Sequence, residues 1–418
     1  MNFPRVEIIN TGSELLLGRV RDSHLSWLGR KLFEVGLRVA RQTTVPDGGV
    51  IRDALLEAFS RAEIVIVTGG LGPTTDDITR EVVAELLGLR LKLHQETLNR
   101  IQERCRKRGF AFQDRMSRQA MVPEGAIVIP NDHGTAPGLH IEPTEGVSWI
   151  TPHLFLLPGP PRELQPMASA YVIPYLSGLV SGKESNECRI YKVVGMGESL
   201  LEAAVGLELS KRGDIEIGYC ARPNEVDFRL IGPRAILEEV EPFVLAGVGD
   251  HLVSDDSGSM EEVLVNYLRE AGVTLATAES CTGGAIADSI TDVAGSSDVF
   301  LGGYVAYSNE CKSRMLGLDP ELIRKHGAVS AEVVEGMARG ALDKTGASHA
   351  LAVTGIAGPG GGTPEKPVGT VWLALASRGD VETIVWKEHF PMDRITFKQM
   401  VVQSALDRLR KRLKGSAR

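Results

Sequence analysis

Residues 63–67 read EIVIV, and residues 68–77, directly after them, read TGGLGPTTDD. A continuous apolar run stopped by a glycine-rich turn is the pattern of a parallel strand covered on both faces. Its surroundings agree. Strand candidates at 6–10, 37–44, 127–129 and 154–157 alternate with helix-period stretches at 25–35, 50–62, 79–87 and 95–107. This alternation predicts an α/β fold for residues 1–178, with an open parallel sheet between two helix layers. Such sheets bind ligands beyond the carboxyl ends of their strands, so the turns there are where chemistry is expected.

The remainder divides at two polar stretches, 181–187 (SGKESNE) and 254–259. Between them, residues 187–254 read as a small α+β unit: strand 189–194, helix 200–209, strands 216–219 and 225–230, helix 236–246. Residues 196–262 carry 15 acidic and 5 basic residues, a local charge of −10 in a chain whose total is −8. Acidity concentrated there opposes a phosphate backbone, and the total argues against a nucleic-acid coat or a binder of acidic membranes. Ser259 and Glu262 form a capping box that opens a helix running to Gly272. Residues 258–416 then read as another layered α/β domain, and two adjacent strands at 368–376 and 381–389 suggest a mixed sheet. The five cysteines are scattered and never spaced C-x-x-C, which fits a reducing compartment without zinc ribbon or disulfide framework. No apolar run approaches the roughly 18–20 residues of a membrane span, and residues 1–6 run straight into a strand pattern with no signal peptide. A cytoplasmic protein is expected.

Two constellations carry chemistry. In the first, Gly69, Gly70 and Gly72 allow close backbone approach to a ligand, and Thr74 is placed to cap the following helix, whose free N–H groups favour phosphate. Asp76 and Asp77 beside an anion site make sense if a divalent cation bridges them to phosphate oxygens. The alternative is a glycine-rich turn whose acidic residues merely favour a helix start. Ser13 and Glu14 supply a hydroxyl and a carboxylate at the same sheet edge, and residues 134–138 (GTAPG) and 157–163 (LPGPPRE) add two rigid loops. Asp22-Ser23-His24 reads as a capping turn, with His24 an ordinary member of it.

The second constellation is residues 278–284, AESCTGG. Ser280, Cys281 and Thr282 crowd a helix start, with Gly283 and Gly284 leaving the backbone bare for an oxyanion or phosphate. Ser280 is either a nucleophile or only an N-cap. Cys281 is a rival nucleophile, read here as a buried neighbour. Lys312, in residues 307–312 (YSNECK), is either a solvated surface lysine or a desolvated base for a serine hydroxyl. Residues 354–367 (TGIAGPGGGTPEKP) form a long loop of the kind that tends to be functional.

These motifs, in this order, resemble the competence/damage-inducible CinA family over essentially the whole chain. GSELLLG, TGGLGPTTDD, GTAPG and LPGPPREL resemble its molybdopterin-binding-like domain. AESCTGG, AYSNECK and TGIAGPGGGTPEKPVGTV resemble nicotinamide mononucleotide (NMN) deamidases. The resemblance implies a C-terminal amidohydrolase that needs no cofactor. There Ser280 is the nucleophile, Lys312 its base or electrostatic helper and Tyr307 an orienting group. Cys281, Thr282, Gly283, Gly284, Thr354, Gly355, Gly358 and Arg394 would line the nucleotide site. For residues 1–178 it implies ADP-ribose pyrophosphatase activity with Mg, Mn or Co. Asp76, Asp77 and Glu14 would lie on the metal side, with Gly69, Gly70, Gly72, Thr74 and Ser13 on the substrate. It further implies a KH-type middle unit and a homodimer acting on small pyridine nucleotides, with no nucleic acid or membrane partner. Three departures stand out: Asp22-Ser23-His24 where the family carries N-T-N, Lys398 where it carries Arg, and Gly195-Met196-Gly197 in place of a G-x-x-G clamp. One alternative keeps only the deamidase catalytic, with the first domain a nucleotide- or pterin-binding regulatory module. Another, suggested by the family name alone, is a scaffold in DNA uptake or repair, which the charge opposes.

Overall fold

All six residues of β1 (Val6–Thr11) are buried, as befits a strand in mid-sheet with both faces covered. The computed structural model describes residues 4–109, 111–143, 151–181 and 186–416. In it β1 pairs in parallel with β2 (Val39–Val45) and β3 (Ile64–Thr68). β3 pairs in parallel with β8 (His153–Leu157). Alternation along these strands feeds two cores. Ile9, Val65 and Val67 pack with Leu55 and Leu156 on one face, while Ile8, Ile64 and Ile66 pack with Leu28 and Phe155 on the other.

The sheet is mixed, which corrects the all-parallel expectation. Its order is β2-β1-β3-β8-β7-β6, and β6 (Ile127–Ile129) and β7 (Gly138–Ile141) run antiparallel to their neighbours. The few residues between β6 and β7 are too short for the crossover that a parallel pair needs. A hairpin of β4 (Leu91–Leu93) and β5 (Met121–Pro123), not foreseen from sequence, frames the helix Gln95–Lys107.

The chain forms two compact units, residues 1–185 and 186–418. Most of the first polar stretch, residues 182–185, lies outside the described residues. The second unit holds two sheets. One is antiparallel, in the order β10 (Glu216–Arg222), β11 (Glu225–Gly232), β9 (Glu187–Val194), β12 (Leu252–Ser254), backed by a core of Tyr191, Phe228, Leu237 and Val244. This is the α+β arrangement expected, though its helices and strands run longer than read. On it Lys192 is buried between Glu225 and Asp227, at 2.8 Å from each. Burial opposes the lysine charge, but the two carboxylates outweigh it and its pKa is raised.

The other sheet has the order β14 (Phe300–Val305), β13 (Leu275–Glu279), β15 (His349–Gly355), β16 (Thr370–Ser377), β17 (Ile384–His389). β13 is parallel to β14 and β15, and the last two strands are antiparallel, so the mixed-sheet expectation holds. One face is nearly all alanine (Ala276, Ala278, Ala350, Ala352, Ala374, Ala376), which lets the helix Ala331–Thr345 sit close with Val334 and Met337. The capping box at Ser259 and Glu262 forms as read. The stretch 254–259 is not a loose linker. The Ser254 hydroxyl donates to Gly258 O at 2.7 Å, and the buried Arg410, paired with Asp407, donates to the carbonyls of Asp250 and Leu252 at 2.7 Å each. No helix among the described residues is long and apolar enough to cross a membrane.

Candidate active sites

At the carboxyl ends of β1, β2, β3 and β8 the turns are stitched together. The Gly12 N–H donates to Val45 O at 3.1 Å, and the Gly69 N–H to Leu157 O at 2.9 Å. These turns surround a cavity of about 370 Å³ that includes Gly69, Gly70 and Gly72. Five carboxylates line it (Glu14, Asp47, Asp76, Asp77, Glu163), with no lysine or arginine among the described lining. Glycine makes the room: a Cβ at Gly12, Gly72 or Gly134 would collide with the carboxylate of Glu14, Asp77 or Glu163 respectively.

A phosphate enters so acidic a cavity only together with cations. Hard oxygen donors fit a divalent ion. Among the described residues no three His, Cys, Asp or Glu are grouped to hold one unaided. A magnesium-class ion would take one or two of these carboxylates and complete its shell with substrate phosphate and water.

Thr74 does not cap the helix. That helix begins at Thr79, after Ile78, because the turn closes on itself: the Thr74 N–H and hydroxyl both donate to the Asp77 carboxylate. Arg118 braces the turn from outside through the carbonyls of Thr74 (2.9 Å) and Asp77 (3.4 Å). The Thr74 N–H is therefore already spent on Asp77, and the helix foreseen as the phosphate donor starts only at Thr79. Ser13 donates its N–H (3.1 Å) and hydroxyl (3.4 Å) to Asp47. Asp47 was missed, although its Asp-Gly-Gly sequence after a strand was a legible signal.

His24 is more than a capping-turn residue. It is buried, with Nδ1 3.2 Å from the Thr68 hydroxyl, which donates to Asn10. Asn10 in turn donates to Asp22 at 2.7 Å. The Asp22-Ser23-His24 turn thus ties a helix start to the ends of β1 and β3.

In the second unit the ends of β14, β13 and β15 converge. Ser280 follows β13, its N–H held by Val353 O at 3.1 Å, and its side chain is buried. Lys312, on the helix Asn309–Leu316, is 1% exposed, which removes the solvated reading. Its Nζ lies 3.0 Å from Ser280 Oγ, 2.9 Å from Ala306 O and 3.0 Å from Tyr307 O. Burial pushes its pKa below the ordinary lysine value. A neutral amine has two N–H groups and one lone pair. The carbonyls can only accept, so they claim the two hydrogens and leave the lone pair facing the serine hydroxyl.

Ser280 is not an N-cap. The helix starts at Ala285, with Gly284 as its cap at φ +99°, a conformation that favours glycine. The Glu279 carboxylate accepts from the N–H groups of Gly284 (3.1 Å), Ile286 (3.0 Å) and Ala287 (2.9 Å). The helix start is thereby filled by the protein's own anion, so of the turn foreseen as an oxyanion or phosphate holder the Gly284 N–H is already taken. Glu279, also missed, leaves the turn before it free of its carboxylate at Cys281 and Thr282. Burial raises the Cys281 thiol to about 12, which removes it as a thiolate nucleophile at neutral pH.

The other foreseen residues divide. Thr282 is fully buried and its hydroxyl has no partner among the described residues. Thr354 donates to Ala328 O at 2.8 Å and so fixes the loop, while Gly355 pairs with Val371. Arg394 donates to Gly358 O at 3.0 Å and to the Tyr307 hydroxyl at 3.2 Å. Tyr307 is 60% exposed, so its ring does not orient Lys312; its backbone carbonyl does. Lys398 comes within 3.9 Å of where a Cβ on Gly283 would sit.

Residues 7–178 match the family described as probable molybdopterin binding domain, and residues 257–413 match the CinA C-terminal domain. A CinA-like protein of Akkermansia muciniphila is 46% identical over 402 residues, covering 96% of each chain. One of Dictyoglomus thermophilum is 41% identical over 418 residues, covering 98% of this chain and 99% of the other. Among solved structures, the competence/damage inducible protein CihA of Agrobacterium tumefaciens is 41% identical over 38% of this chain and 99% of its own, with a TM-score of 0.36. With full-length relatives at this identity, and the ordered motifs gathered at two sheet edges, the chain belongs to the CinA family.

Proposed function

We propose that the second unit hydrolyses the carboxamide of nicotinamide mononucleotide to nicotinate mononucleotide and ammonia. The observation that carries this is the Lys312 amine, buried, 3.0 Å from Ser280 Oγ and with its other neighbours able only to accept. Lys312 takes the Ser280 proton as Oγ attacks the amide carbon. In this reading the oxyanion is met by backbone N–H groups of the turn that follows Ser280. The C–N bond breaks as Lys312 returns its proton to the nitrogen, which leaves as ammonia. Water then attacks the serine ester, giving a proton to Lys312, and Ser280 recovers its own as the carboxylate departs. Arg394, at the edge with Tyr307, is placed to hold the nucleotide phosphate. The test is ammonia release from NMN by the full chain: it is lost in Ser280→Ala, and full activity in that variant overturns the assignment.

For the first unit the reading is ADP-ribose pyrophosphate cleavage with Mg, Mn or Co, supported by the acidic glycine cradle. A bound divalent ion neutralises the charge on the pyrophosphate oxygens. The chain's own part is to hold that ion through Asp76, Asp77 and Glu14 and to present turn backbone to the phosphates. A second reading, in which this unit only binds a nucleotide, is favoured by the Asp77 carboxylate being already engaged by the Thr74 N–H and hydroxyl. A metal screen decides: nucleotide binding with no ADP-ribose turnover under any of the three ions selects the second reading.

A further inference from the structure

The glycine cradle has a neighbour of opposite character. A cavity of about 320 Å³, in the size range of small-molecule sites, shares Pro73 and Thr135 with it. Three guanidinium groups line this second cavity (Arg104, Arg108, Arg115) over an apolar floor that includes Cys105 and Met116, and its described lining contains no carboxylate. Arg104 is anchored by donating to Asp132 O at 2.7 Å, while its Nε is buried without a partner among the described residues. Arg108 and Arg115 are exposed and make no side-chain ion pair among the described residues. Across one threonine, the lining passes from five carboxylates to three unneutralised guanidiniums.

That division separates two kinds of phosphate. A phosphate in the cradle needs a metal, whereas one in the arginine cavity does not, because planar guanidiniums bind phosphate oxygens directly and in pairs. We propose that the arginine cavity is a phosphomonoester site. A ligand lying in the cradle then extends past Thr135 with a second, terminal phosphate, and the unit prefers nucleotides so substituted, such as a 2′-phosphorylated nucleoside diphosphate. As a statement about substrate this rests on the pyrophosphatase reading; as a statement about binding it does not.

Two arms test it on the full chain. In chelator, calorimetry compares AMP, which carries one phosphomonoester, with adenosine, which carries none. Wild type binds AMP at least about tenfold more tightly than adenosine, and the double variant Arg108→Ala/Arg115→Ala brings the ratio close to one. Both side chains are exposed and unpaired, so the variant is expected to fold, which circular dichroism confirms. With metal, the ratio of kcat/KM for ADP-ribose 2′-phosphate over ADP-ribose follows the same pattern. Equal affinity in wild type, or a preference that survives the double substitution, overturns the proposal. If the binding preference holds and neither compound is hydrolysed under any metal, the arginine site stands and the pyrophosphatase reading falls.

Discussion

At Lys312 a single amine is stripped of water and left with two carbonyls and a hydroxyl. In the first unit five carboxylates line a cavity whose described lining holds no lysine or arginine. On the readings proposed above, one site is finished by burial and carries its own base, while the other becomes reactive only with a metal and a polyanion bound. Both sit at the carboxyl ends of parallel strands, so the same scaffold position supports chemistry made by desolvation and chemistry made by recruitment.

The comparison breaks most sharply at the nucleophile. Ser280→Ala should lower ammonia release by about three orders of magnitude or more, the scale of losing a catalytic nucleophile, and leave pyrophosphate cleavage within about twofold; assaying both products in one preparation checks it. Chelation should do the reverse, abolishing the pyrophosphate activity while ammonia release stays within about twofold. If a chelator stops ammonia release, the contrast between the sites is wrong.

A subtler test is pH. Only neutral Lys312 can accept the serine proton, so kcat/KM for ammonia release should rise with pH and level off below 10.5, the ordinary lysine value. The sign for stability agrees. Between the depressed folded-state pKa and 10.5 the unfolded chain holds a proton that the folded one declines, so stability rises with pH across that window. Lys312→Met should remove this dependence in thermal melts. Next in size is Gly72→Ala, whose new Cβ displaces the Asp77 carboxylate; about a tenfold fall in pyrophosphate cleavage, with ammonia release intact, is expected from one mispositioned carboxylate. Smallest is Glu279→Ala. Removing the acceptor of three N–H groups should cost the second unit about 1–3 kcal/mol, read as a lower melting temperature.

Strands were the most legible part of the fold. A run such as EIVIV has one physical explanation, and β3 and β6 appear where they were read. β6 (IVI) is three β-branched residues in a row, whereas β4 (LKL), β5 (MVP) and β7 (GLHI) mix in residues that break the apolar run and were not read. At the sites, Ser280 and Lys312 were legible as residue types; their meeting depends on β13 and β14 being neighbours, which no local spacing encodes. Errors gathered at helix starts. Thr74 and Ser280 both looked like caps because each precedes a helical pattern, but in each case a carboxylate, Asp77 or Glu279, takes the backbone or side-chain donors and delays the helix. A capping preference is local, and it loses to a nearby anion able to take more than one donor.

Arg410 has a bearing on how the second unit comes into being. Its guanidinium reaches carbonyls that lie 158 and 160 positions earlier in the chain. During synthesis, β12 is therefore made long before the group that secures its approach. The final long helix, Arg394–Ser416, thus carries both the group that holds the approach to β12 and, at its start, the Arg394 that reaches Gly358 in the loop after β15.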